Sequence, residues 1–271
     1  MGLGSGFHVA TYNIWGTGLP ARYWRERGVL RGVVEGSPVL GLLDEQRVWQ
    51  QRREGLYREL AAVSPDLVAL QEVVSSPGAA ESRAHELARR LGHREVLLSE
   101  ADGAMGSLAV LSRRPVLSRA ELPLRSMTGA FGGHSTILEV VLDVVRLWVV
   151  HVPVGPEEVR AAVIGEIGEL AAAAPADRPL LLCGDFNCPA DGAPMKGLLA
   201  DGVLADSWIG AGGASDALTM PMPGPTWRLD YLLYRPADGL VPRPGPRLLG
   251  DSPDVDGLHP SDHCGVAVGF V

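Results

Sequence analysis

The sequence predicts an α/β protein with mixed sheets covered by helices, and three observations carry that expectation. Short apolar runs end on a polar or acidic residue, as in HVATYNIWG, PDLVALQEV and RPLLLCGDFN. Segments with apolar residues at helical spacing lie between such runs, the alternation expected of α/β folds. Two longer stretches, SLAVLSRRPVLS and HSTILEVVLDVVRLWVV, read as antiparallel neighbours.

Taken in order, residues 8–16 form a first strand that ends near Asn13. VWQQRREGLYRELAAV places Val48, Leu56, Leu60 and Val63 on one helical face, and Pro65 ends it because proline cannot continue the backbone ladder. PDLVALQEV follows as a strand carrying Glu72. AESRAHELARRLG is a short amphipathic helix closed by Gly92. After the antiparallel stretches, RLWVVHVPV is a strand with His151. GPEEVRAAVIGEIGELAAAA begins with Pro156 and two glutamates, which suit the positive end of a helix dipole, and stops before Pro175. RPLLLCGDFN, WRLDYLLY and the terminal GVAVGFV supply further strands. Residues 210–226 and 235–261, dense in Gly, Pro, Ser and Asp, read as surface loops near strand ends. SPDLVALQEV and DRPLLLCGDFN match faintly, too weakly for a repeat.

At 271 residues with 46% hydrophobic content, the chain suits one large α/β domain, expected here over 1–271. The formal charge of −8 argues against an electrostatically driven, non-specific nucleic-acid binder. It does not exclude a nuclease, since bound cations can supply positive charge locally. Cys183, Cys188 and Cys264 are an odd number without CxxC spacing, so neither a disulfide framework nor a zinc knuckle is indicated. No basic segment followed by an apolar run opens the chain and no window reaches membrane-spanning length, which gives a cytoplasmic expectation.

The polar residues at strand ends are Asn13, Glu72, His151, Asp185, Asn187, Asp230, Asp262 and His263. Carboxylates and amides without cysteine form a hard, oxygen-rich set suited to Mg²⁺, with Mn²⁺ as a substitute, rather than to zinc. Histidines among acids fit proton transfer or stabilisation of developing negative charge. Together these are the requirements of phosphoester hydrolysis.

TYNIWG, LQEV, the histidine of VVHVPV, GDFN, RLDYLLY and PSDHCGV, in that order, resemble the motif series of the endonuclease/exonuclease/phosphatase superfamily. That group includes DNase I-like nucleases, abasic-site endonucleases, sphingomyelinase-type phosphodiesterases and inositol polyphosphate 5-phosphatases. The motifs run from residue 11 to 266; one tetrapeptide alone is weak, but six in family order are specific. The resemblance implies a DNase I-like, four-layer α/β/β/α sandwich of two mixed, largely antiparallel sheets packed face to face. It implies Glu72 as principal metal ligand with Asn13 and Asp262 beside it, Asp185 orienting or activating water, and Asn187 holding a phosphate oxygen. His263 would bond the phosphoryl group, kept cationic by Asp230. His151 matches the position where DNase-like and sphingomyelinase-like members carry histidine and abasic-site nucleases carry tyrosine.

Residues 17–48 exceed a simple strand-to-helix connection and are expected as a lid insertion, with Arg22 and Arg25 as candidate substrate ligands. The loop before Asp230 offers Met220, Met222 and Trp227 and no basic residue before Arg228. Trp227 and Arg228 are therefore further substrate candidates. A nuclease would present basic or aromatic side chains to a groove. The expected partner is thus a small-molecule or lipid-like phosphoester, with nucleic acid the less favoured alternative. A non-catalytic binding module ranks below both because no motif residue is missing, and a zinc hydrolase built on His151, His259 and His263 ranks last.

Overall fold

The computed structural model of the chain describes residues 6–16, 45–74, 81–100, 106–127, 133–255 and 257–271. The expected lid at 17–48, with Arg22 and Arg25, falls outside them except for the start of the first described helix.

The first sheet is built from β1 (Phe7–Asn13), β2 (Leu67–Val73), β3 (Glu95–Leu98), β4 (Ser107–Ser112), β11 (Arg247–Leu249) and β12 (Gly265–Phe270), in the order β11-β12-β1-β2-β4-β3. The second contains β5 (Val116–Pro123), β6 (Thr136–Leu142), β7 (Arg146–His151), β8 (Leu180–Asp185), β9 (Ala205–Asp206) and β10 (Asp230–Tyr234), in the order β5-β6-β7-β8-β10-β9. Each sheet has one parallel pair at its centre, β1 with β2 and β7 with β8, and every other pairing is antiparallel. A parallel pair needs a crossover. The crossovers carry helix α1 (Glu45–Val63) and helix α3 (Glu157–Ala173), while helix α2 (Arg83–Leu91) connects β2 to β3. The weakly matched pieces of the sequence, β2 and β8, therefore occupy equivalent places in two sheets of the same pattern.

Strand side chains alternate between faces, and that alternation builds the layers. Phe7, Val9, Leu67, Ala69, Val266 and Val268 of the first sheet pack against Leu138, Val140, Leu147, Val149, Leu181 and Leu232 of the second. The intervening residues face outward. Tyr12, Val68 and Leu70 meet Trp49, Leu56 and Leu60 of α1 and Leu87 of α2. Trp148, Val150 and Leu182 meet Val163, Ile164 and Ile167 of α3. The result is the expected α/β/β/α sandwich.

Two helices were not expected, α4 (Ala193–Ala200) and the short α5 (Ser207–Gly210). The 235–261 loop also contains strand β11, which pairs with β12 through Leu248 and Leu249 between proline-rich flanks. Cys183, Cys188 and Cys264 are free and buried. Among the described residues no helix is long and apolar enough to cross a membrane.

Candidate active site

The same alternation that puts Leu147, Val149, Leu181, Cys183 and Leu232 between the sheets directs His151, Asp185 and Asp230 to that inner face at one end. They also lie in register: His151 pairs with Asp185 across β7 and β8, and Asp185 with Asp230 across β8 and β10. Three neighbouring strands thus present a row of one imidazole and two carboxylates, all buried. Gly184, immediately before Asp185, has φ +142°, and a Cβ there would overlap the Val150 carbonyl. Only glycine allows β8 that close to β7, which accounts for the residue before the acid.

From the first sheet, Asn13 follows Phe7, Val9 and Thr11 on the inner face of β1. Its Nδ2 donates to Glu72 Oε1 and to Asp185 Oδ2, both at 3.1 Å, joining the two sheets. Glu72 sits where the β2–β4 register shifts between Leu70 and Val73, at φ +59°. A bulge re-aims a side chain, and here it delivers the carboxylate to the mouth of the sandwich, where Oε2 accepts from the Gly16 N–H at 2.8 Å. Trp15 and Asn187 also have positive φ, 53° and 45°. Left-handed backbone at non-glycine residues is strained and collects at functional sites. Asn187 is fixed by its N–H to Asp185 Oδ1 at 2.8 Å and its Nδ2 to the Val152 carbonyl at 2.9 Å.

The turn before β12 completes the cluster. Ser261 Oγ donates to the Asn13 carbonyl at 2.7 Å and ties that turn to β1. His263 Nδ1 lies 2.9 Å from Asp230 Oδ2, and its Nε2 lies 3.7 Å from Asp185 Oδ2. His151 Nε2 stands 3.6 Å from Asp185 Oδ2 and 3.9 Å from Glu72 Oε1.

The electrostatics divide the two imidazoles. Burial opposes charge on His263, but Asp230 and Asp185 outweigh it and hold the group protonated well above the ordinary histidine range. His151 is pushed well below that range by burial and by His134 and His263. Burial raises Glu72 to about 7, reinforced by Asp262, and raises Asp185 to about 7, where Asp230 adds to the effect and His263 opposes it.

Acids that buried and that close fit a divalent cation. Among the described residues, donor atoms from Asp185, Asp230 and His263, one from each, lie within 4.8 Å of one another. A cationic imidazole bonded to a carboxylate is a poor metal ligand, however, since a ligating histidine must offer a neutral nitrogen. The carboxylate oxygens of Glu72 and Asp262 form a hard set, and Asp262 is near enough to raise Glu72, while Asn13 beside them turns its Nδ2 to Glu72 and Asp185 and accepts at Oδ1 from the Trp15 N–H at 3.0 Å.

A cavity of about 360 Å³ opens over these groups. Its acidic and histidine floor includes Glu72, Asp185, His151, Asp262 and His263; Trp15, Val154, Met220, Trp227 and Leu229 make apolar walls, with Arg160 at one side. Trp227 is 49% exposed at the rim. The structure thus gathers Asn13, Glu72, His151, Asp185, Asn187, Asp230, Asp262 and His263. It directs Arg228 elsewhere: its Nη2 holds both oxygens of Asp206 at 2.8 and 2.6 Å, and the guanidinium lies over the Tyr231 ring. His259, the third member of the zinc alternative, lies with Nδ1 3.0 Å from the Gly250 carbonyl.

Arg52 belongs to none of the sequence motifs. This fully buried guanidinium donates to the carbonyls of Ile14, Trp15 and Pro260 at 3.1, 3.1 and 2.7 Å, clamping the Asn13 and Asp262 loops together. The available signal was a charge on the buried face of α1, four residues before Leu56.

The family model described as the Endonuclease/Exonuclease/phosphatase family matches residues 10–263. No curated protein matches the sequence. Similar solved structures include D. rerio TDP2 complexed with single strand DNA product, at 19% identity and TM-score 0.70 over 98% of this chain and 99% of that one. An endonuclease/exonuclease/phosphatase from Beutenbergia cavernae matches at 22% identity and TM-score 0.63, over 98% and 71%. An endonuclease/exonuclease/phosphatase family protein from Bacteroides thetaiotaomicron matches at 16% identity and TM-score 0.67, over 98% and 95%. At these identities the structural likeness establishes the fold.

Proposed function

Because the chain belongs to the endonuclease/exonuclease/phosphatase family, we propose that it is a divalent-metal-dependent phosphoester hydrolase, acting as phosphodiesterase or phosphatase on a small or amphiphilic substrate. Residues 1–271 are read as one catalytic domain, which the match over 10–263 supports. The observation that carries the function is the in-register row of His151, Asp185 and Asp230, faced by Glu72 and bridged to it by Asn13.

Glu72, with Asp262 and Asn13, would hold Mg²⁺, or Mn²⁺ in its place, which when bound supplies neutralising charge to a phosphate oxygen. Asp185, fixed by the Asn187 N–H and Asn13, accepts the proton of the attacking water, and its burial strengthens it as a base. Asn187 orients a phosphoryl oxygen. His263, held by Asp230, donates a charge-assisted hydrogen bond to a phosphoryl oxygen on which negative charge develops. Neutral His151 places its Nε2 at the cavity floor, 3.6 Å from Asp185 and 3.9 Å from Glu72, with that nitrogen turned toward the substrate space.

The apolar wall of Trp15, Met220 and Trp227 supports an amphiphilic substrate. A nuclease is the second reading, favoured by one observation: a similar structure, D. rerio TDP2, is complexed with single strand DNA product. An exposed Trp227 can stack on a base as well as on an alkyl chain. The test is a panel of nucleotides, phospholipids, sugar phosphates and DNA with Mg²⁺ or Mn²⁺, using EDTA and His263→Ala as controls. Small phosphoesters turned over in preference to DNA support the first reading. Plasmid nicking that EDTA and His263→Ala abolish selects the second, and no metal-dependent hydrolysis of any member refutes both.

A further inference from the structure

His134 lies outside every motif, in the turn before β6. Its main-chain N–H donates to the His151 carbonyl at 2.8 Å, its ring centroid lies 5.6 Å from that of His151, and its Nε2 is 3.2 Å from the Gly106 carbonyl. A carbonyl only accepts, so Nε2 carries the proton. Gly106 leads into β4 of the first sheet and His151 ends β7 of the second. One side chain therefore joins the sheets directly behind the cavity. The Gly106 anchor is itself rigid: its φ is +72°, and a Cβ there would fall 2.5 Å from the carbonyl of Val73, the neighbour of Glu72.

His151 has little else to set its ring. Its Nδ1 has no hydrogen-bond partner among the described residues, and its Nε2 lies beyond hydrogen-bond distance of both carboxylates. We infer that His134 is the positioning residue for His151: packed against it and anchored to Gly106, it holds that imidazole between Glu72 and Asp185 and fixes the spacing of the sheets at the site. The kinetic consequence rests on the phosphoesterase reading; the structural one does not.

The test uses the intact protein with His134→Leu, which keeps bulk but loses the donor, and His134→Gln, which restores one. With Mg²⁺ and bis(p-nitrophenyl) phosphate, His134→Leu should lower kcat by about tenfold or more with KM unchanged, as expected for a misplaced catalytic group, and His134→Gln should recover most of the loss. A crystal structure of His134→Leu should show the His151 ring turned away from Glu72 and Asp185. If the wild type shows no hydrolysis, the functional reading fails and the crystal structure alone decides the positioning role. Should the Leu variant not fold, His134→Asn, too short to reach Gly106, must show the same displacement. A His151 ring that keeps its place in the folded variant overturns the inference. So does a kcat within twofold of wild type, or an equal loss in the Leu and Gln variants.

Discussion

His263 Nδ1 is 2.9 Å from Asp230 Oδ2, so a residue in the turn before β12 is charged by the first residue of β10, in the other sheet. The carboxylate holds the imidazole in the donor form and aims its Nε2 toward Asp185. Asp230→Asn keeps size and shape while removing the charge. It should lower kcat by about a hundredfold or more, with circular dichroism unchanged. The sign of the pH effect follows: a group needed as a cation loses function as pH rises through its pKa, so without the anion that raises it the alkaline limb should move to lower pH. An alkaline limb identical to wild type would refute a protonated His263.

Glu72 is the buried carboxylate on which the metal reading turns. Glu72→Gln keeps an acceptor for the Gly16 N–H but removes the charge. Activity should drop by about a thousandfold, and the rise in Tm on adding Mg²⁺ should vanish. Thermal denaturation with and without Mg²⁺ reads this without a substrate, and an undiminished Mg²⁺ shift in the variant would place the ion elsewhere.

Glu72 and Asp185 also set how stability depends on pH. Both are pushed to about 7 in the fold, whereas in the unfolded chain they titrate near 4. The metal-free folded state binds more protons between those values, so these groups remove stability as pH rises from about 4 to about 7. A cation competes with the same protons. The Mg²⁺-induced rise in Tm should therefore be largest above pH 7 and fade toward pH 5. A shift that stays the same across that range would show that Glu72 does not hold the ion.

Much of the site was legible because strand chemistry is periodic. Asn13, His151 and Asp185 end apolar runs, and a period of two puts them on the same face as the core residues before them. Contacts between distant segments were less visible. Arg228 adjoins a motif, but its charge is absorbed by Asp206, 22 residues earlier in the chain, a pairing that no local pattern shows. His134 carries no sequence signal, since its role depends on two sheets meeting. Strand β11 hid among prolines because its pairing with β12 supplies the order that its composition does not.

Arg52 gives the last test, because a buried cation in α1 holds the site's two loops by their carbonyls. Burial lowers its pKa to about 10, with Arg83 adding to the effect, so it stays charged at neutral pH beside Asp262 and Glu72. Arg52→Met fills similar space but leaves the Ile14, Trp15 and Pro260 carbonyls without this donor, at a cost of about 3 kcal/mol. Arg52→Lys keeps the charge and fewer donors in the wrong geometry, so it should lose less stability than Met and more than nothing. Urea denaturation should rank the proteins as wild type, Lys, then Met, and Mg²⁺ affinity should follow the same order because Asn13 and Asp262 sit on the clamped loops. Equal midpoints for all three would mean that the clamp carries no stability. Lost stability with unchanged Mg²⁺ affinity would mean that it does not set the metal site.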